Sequence, residues 1–302
     1  MRVLAAFAVS VIFAFGAFGQ TCTDAAKQVK PVLSETAARA YEANLAVARE
    51  AYNRNRNVAD ELIWYGRRTA YTGEYKEAIR IFTDGIRKFP GDARLYRHRG
   101  HRYITLRCFD DAIRDLETAA RLIKGKPDSI EPDGIPNERN TPTSTLQSNI
   151  WYHLGLAYYL KGDFKKAERA YREAWKVSKN NDMRVATAYW LYMTLRRMGN
   201  AKEAAGVLEP FAGEIEVIEN DDYLKLIKLN RGEAKADDLL GTISGEAKSL
   251  GSASLGYGIG NYFLYSGDSG KAAEVFGKIV AGDQWASFGY IAAEAELRRL
   301  KP

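Results

Sequence analysis

An all-α solenoid of about six antiparallel helix pairs, with a capping helix at each end, is the fold this 302-residue sequence predicts. Three observations lead there. A small residue followed by alanine 12 places later recurs along the chain; apolar residues fall at i, i+3, i+4 and i+7; and β-branched runs bounded by turns are scarce. Each unit of such an array buries its apolar face only against its neighbours, so the length does not require two separate cores.

The elements follow in order. Arg2 precedes the stretch Val3 to Phe18, broken only by Ser10 and Gly16, and Ala17-Phe18-Gly19 supplies a small-x-small site. This is the layout of a signal peptide over residues 1–19, cut after Gly19, and it is short of the roughly 20 apolar residues of a membrane span. It predicts a periplasmic or secreted chain with no membrane span in its mature part. Without Arg2, 43 basic residues face 38 acidic ones, a net +5. That mild excess suits anionic partners and is not the footprint of a nucleic-acid binder. The absence of an Asn-x-Ser/Thr sequon points to a bacterial envelope. The two cysteines, Cys22 and Cys108, either pair in an oxidising compartment or stay free; the sequence leaves both open.

Residues 20–58 form a tail and a capping helix, Ser34 to Asn53, with Ser34 as N-cap and Ala38, Tyr41, Leu45 and Ala48 on one face. Two repeats span 59–124. Gly66 and Ala78 define the first, with Phe82 and Gly85 after them; Gly100 and Ala112, 34 residues on, define the second, with Leu116 and Ala119. Residues 125–147 then hold four of the eight prolines (Pro127, Pro132, Pro136, Pro142) and cannot continue a helix. A loop this long is functional or disordered, and Ile130, Ile135 and Leu146 offer it apolar anchors, so an ordered loop is expected. Four more repeats span 148–285: Gly155 with Ala167, Tyr192 with Ala204, a degenerate unit over 218–251 with Asp237 in the alanine slot, and Gly260 with Ala272. Gly73, Gly162, Gly199, Gly232 and Gly267, each followed by a polar residue, mark the turns inside the pairs. A closing helix, Gln284 to Leu300, makes the C-terminal cap (286–302), with Glu294, Glu296, Arg298 and Arg299 on its outer face.

Trp151-x-x-Leu154-Gly155-x-x-Tyr158, with Ala167, Tyr171 and Ala174 in register, resembles the tetratricopeptide repeat family, and the likeness extends over residues 59–285. The resemblance implies a right-handed superhelix in which the first helix of each pair lines a concave face. It selects Arg67, Tyr71, Arg97, His101, Tyr152, Tyr159, Tyr189, Met193, Arg196, Arg197, Tyr257, Asn261 and Tyr265 as groove residues. Tyrosine and arginine are the residues enriched at binding hot spots, and arginine grips carboxylates in a fork. The competing reading of the tyrosines is packing between repeats. The family's alternating lysine–asparagine carboxylate clamp is absent.

No catalytic set emerges. His98 and His101 share a helical turn, but Arg97, Arg99 and Arg102 repel a cation, so a polar surface role is expected and no metal or other cofactor. Gly267-Asp268-Ser269-Gly270 reads as a turn, and Gly256-x-Gly258-x-Gly260 follows no strand and is no dinucleotide fingerprint. The expected function is a non-catalytic scaffold of the cell envelope that binds a peptide or protein segment, acidic by the arginines, along the concave face. The alternatives are a glycan-binding accessory protein of polysaccharide secretion and an enzyme with residues 126–147 as its lid, which requires titratable groups clustered beneath that loop.

Overall fold

The computed structural model describes residues 21–134, 136–244 and 252–300. The signal segment 1–19 and the anchor Ile135 lie outside them. A one-turn helix α1 (Cys22–Ala25) and the long α2 (Glu35–Arg54) precede six pairs: α3 (Ala59–Tyr71) and α4 (Tyr75–Lys88), α5 (Ala93–Thr105) and α6 (Phe109–Ile123), α7 (Leu146–Lys161) and α8 (Phe164–Val177), α9 (Asn181–Arg197) and α10 (Ala201–Leu208), α11 (Asp221–Asn230) and α12 (Ala236–Ile243), α13 (Ala253–Tyr265) and α14 (Ser269–Val280). Helix α15 (Phe288–Leu300) closes the array. The protein is an all-α solenoid.

The repeating small residue has a specific neighbour. A Cβ built on Gly155 would lie 2.8 Å from the Tyr171 ring, and Gly66 stands in the same relation to Phe82, as Gly100 does to Leu116 and Gly260 to Phe276. The partner is always 16 residues later, on the second helix of the pair. The bulk therefore sits on one side of each crossing, and glycine on the other lets it in. In the fourth pair Tyr192 takes the slot, and Leu208 stands at the position 16 residues on. Second helices such as α4 bury one stripe (Tyr75, Ala78, Ile79, Phe82, Gly85). Helices α7, α9 and α13 are buried on nearly every side, as helices enclosed by others must be.

The five turn glycines all adopt positive φ, between 80° and 92°. The α5–α6 turn has no glycine; Arg107 takes the left-handed conformation there, with φ 64°. Its side chain explains why a costly residue stands at that place. Nε donates to Glu294 at 2.8 Å, Nη2 donates to the Trp285 carbonyl at 2.9 Å, and the guanidinium lies 3.9 Å from the Trp285 ring centre. The second pair thus clasps the closing segment, and the superhelix shuts on itself.

The next residue, Cys108, is joined to Cys22 with a Cα–Cα distance of 5.8 Å, so the tail is pinned to the same turn. A crosslink spanning 86 residues removes on the order of 4 kcal/mol of chain entropy from the unfolded state. The tail then runs along the first pair, where Gln28 accepts from the Lys76 backbone N–H at 2.9 Å. Ser34 caps α2 as expected, accepting from Ala37 N–H.

Two expectations about the closing segment need correction. The helix begins at Phe288, because Gln284 to Ser287 forms a turn that buries Trp285. Glu296 is not on an outer face: it is fully buried, held by Arg197 at 2.6 Å and Arg299 at 2.8 Å. No helix among the described residues is long and apolar enough to cross a membrane.

Candidate functional site

The closure decides the fate of the predicted groove. Tyr152, Tyr159, Tyr189, Met193, Tyr257 and Asn261 are all buried, and they pack on one another and on the closing segment rather than line an open channel. The Tyr257 hydroxyl donates to that of Tyr159 at 2.9 Å, Trp190 stands edge-on to Tyr159, and Phe288 lies against Tyr152 and His101. The arginines at this end are engaged as well. Arg197 holds Glu296, while Arg196 donates to the Tyr192 hydroxyl and the Tyr265 carbonyl and lies over the Tyr265 ring. Packing between repeats is what these tyrosines do.

The N-terminal half of the concave face is different. Helix α3 sends Trp64, Arg67 and Tyr71 inward, three and four residues apart and hence on one stripe; α5 does the same with Arg97, His98, His101 and Arg102. Between them lies a cavity of about 110 Å³ lined by Arg67, Tyr71, Arg97, His98, His101 and Arg102, with Glu131 facing them. An adjoining cleft of about 280 Å³ shares Arg67, His98 and Glu131 and adds Trp64, Ile130 and Pro132. Arg102 and Glu131 were not among the predicted site residues. Arg102 falls outside the groove slots of the repeat, and Glu131 comes from the loop.

That loop is the roof. It is ordered, and of the apolar anchors expected of it Leu146 packs on the cluster of Ala93, Ala119, Ile123 and Ile150 while Ile130 is 69% exposed. Polar contacts hold the rest. Arg67 donates to the Pro132 carbonyl at 2.8 Å, Arg68 to the Gly134 carbonyl at 2.7 Å, and Arg97 pairs with Glu131 at 3.0 Å. At the far side Thr143 and Asn137 donate to Glu219, whose own backbone N–H, with those of Ile218 and Asn220, donates to the buried Asp182 carboxylate. A single antiparallel bridge between Ile130 and Thr145 closes the loop's base.

The pocket is strongly basic: three guanidinium groups face one carboxylate. Burial pushes Arg102 down to about 10, so it stays charged at neutral pH. Burial, reinforced by the neighbouring arginines, holds His98, His101 and His153 well below the usual histidine range, and all three are neutral. The expected polar surface role for His98 and His101 is therefore overturned. His98 stacks on Phe82 and accepts from Arg97, while His101 lies against His153 with 4.6 Å between ring centres. Titratable groups do cluster beneath the loop, and Ser129 lines the adjoining cleft. Cys22, Cys108 and Asp111 approach within metal-ligand spacing, and their two sulfurs are spent in the disulfide.

Residues 148–181, the third repeat, match the family model described as Tetratricopeptide repeat. With the six helix pairs, this makes the chain similar to helical-repeat proteins of tetratricopeptide type. Among solved structures it is similar to YrrB, a TPR protein with an unusual peptide-binding site, at 15% identity over 83% of this chain and 98% of that one, with a TM-score of 0.44. It is also similar to PilW, a type IV pilus biogenesis factor, at 14% identity over 81% and 86% of the two chains, with a TM-score of 0.47. MamA, at 15% identity over 64% and 90%, gives 0.44. A comparison with curated protein sequences finds no match.

Proposed function

We propose that this chain is a protein-interaction scaffold of the cell envelope that recognises an acidic segment at the basic pocket beneath the proline-rich loop, not along the whole concave face. The observation that carries this reading is the convergence of Arg67, Arg97 and Arg102 on one small space with a single acidic partner, Glu131, which comes from a loop. An acidic side chain of a partner finds there the charge and forked donors that Glu131 now uses in part. The rest of the Tyr/Arg set is committed to holding the superhelix shut. The envelope assignment is supported by the Cys22–Cys108 disulfide, a bond that persists in oxidising compartments, together with the signal-like N-terminal segment.

The test is an affinity pull-down from the native envelope fraction with the wild-type chain and with Arg67→Gln/Arg102→Gln, each at low and high salt. The reading expects partners that are lost from the double variant and weakened by salt. Recovery of the same partners by both forms at both salt concentrations would falsify it.

A further inference from the structure

We propose that the cavity bounded by Arg67, Tyr71, Arg97 and Arg102 is a binding site for a free small oxyanion of the phosphate or sulfate class. Three independent features of the cavity point to such a ligand.

The first is unmatched donors. The Arg102 guanidinium makes no hydrogen bond or ion pair with any described residue; its one recorded contact is a distant face of Tyr75, 5.8 Å from the ring centre. Arg97 Nε is buried and has no hydrogen-bond partner, although the Arg97 side chain is only 9% exposed. Buried guanidinium donors without acceptors are costly, and the cost is removed by an acceptor-only ligand. The second is charge. The three guanidinium groups of the lining outnumber its one carboxylate, Glu131, even with Asp133 near Arg67, and the neighbouring imidazoles are neutral. An anionic ligand balances the remaining excess.

The third is size and cover. At about 110 Å³ the cavity has room for a few waters or one tetrahedral oxyanion. Glu131 lines it from the loop side, and the loop is held there by Arg97, Arg67 and Arg68. A free ion fills this cavity by itself, whereas a group carried on a larger body would have to reach it through the adjoining cleft. The inference does not lean on segment recognition: a chain that takes phosphate and no segment sustains it and sinks the other reading, and the converse holds.

Calorimetric titration of inorganic phosphate, and separately of sulfate, into the full chain at constant ionic strength set by chloride tests it. One saturable site is expected, at least tenfold tighter for either oxyanion than for chloride. Arg102→Gln, which breaks no hydrogen bond or ion pair among the described residues, should weaken phosphate at least tenfold. Glu131→Gln should tighten it severalfold by removing the competing carboxylate. The proposal is overturned by the absence of a saturable isotherm for both oxyanions, or by unchanged phosphate affinity in both variants.

Discussion

Arg107 joins two effects that can be measured apart. Its left-handed backbone costs about 1–2 kcal/mol in a non-glycine residue, and its side chain returns more than that by holding Glu294 and the Trp285 carbonyl. Arg107→Ala keeps the strain and loses the clasp; Arg107→Gly loses the clasp but relieves the strain. Urea unfolding should find both variants less stable than wild type, the glycine form by about 1 kcal/mol less than the alanine form. Equal losses would show that the backbone is not strained. The buried histidines make a second residue-scale prediction. Their folded pKa values lie below the unfolded value of about 6.5, so above that pH both states are neutral and histidine adds no pH dependence. As pH falls from about 6.5 towards the depressed folded values, the unfolded chain takes up protons that the folded one refuses. Stability then drops by up to about 1.4 kcal/mol per pH unit for each histidine. Urea midpoints that stay level between pH 7 and pH 5 would contradict the burial of this cluster.

Single elements show which features of the fold were readable in the sequence. The glycine slots, the alanines 12 residues on and the turn glycines were legible because they obey spacing, and spacing is local. The fourth pair was legible only in part, since Tyr192 in place of glycine hides the slot. The proline-rich loop could be read as ordered and Leu146 as an anchor, yet the other anchors could not: they are backbone carbonyls at Pro132 and Gly134 and a carboxylate at Glu131, and no periodicity marks a carbonyl. Helix α15 was read as a cap with a polar outside because Glu294 to Arg299 is charged; the structure turns Glu296 inward, onto Arg197 and Arg299. Removing that buried carboxylate's charge leaves two guanidiniums short of a partner, at a cost of about 3 kcal/mol. Glu296→Gln should therefore raise hydrogen exchange across residues 288–300 by tenfold or more while α3 and α4 exchange as before. Unchanged exchange in α15 would mean that Glu296 does not hold the cap.

For the molecule as a whole, the consequential feature is closure. The second pair grips the closing segment through Arg107, and the disulfide ties the tail to the adjacent Cys108. Aromatic side chains fill what an open superhelix would leave as a groove. The sequence could nominate the groove slots because the repeat fixes which residues face inward. It could not say that inward means interior, since that depends on contacts between Arg107 and Glu294, 187 residues apart. What remains accessible is the basic pocket under the loop, which is why recognition is assigned there. Hydroxyl-radical footprinting of the tyrosines tests this most directly. A closed concave face predicts that Tyr152, Tyr159, Tyr189 and Tyr257 are oxidised at least tenfold more slowly than the partly exposed Tyr41 and Tyr96. Oxidation of all six at similar rates would show an open groove and contradict the account.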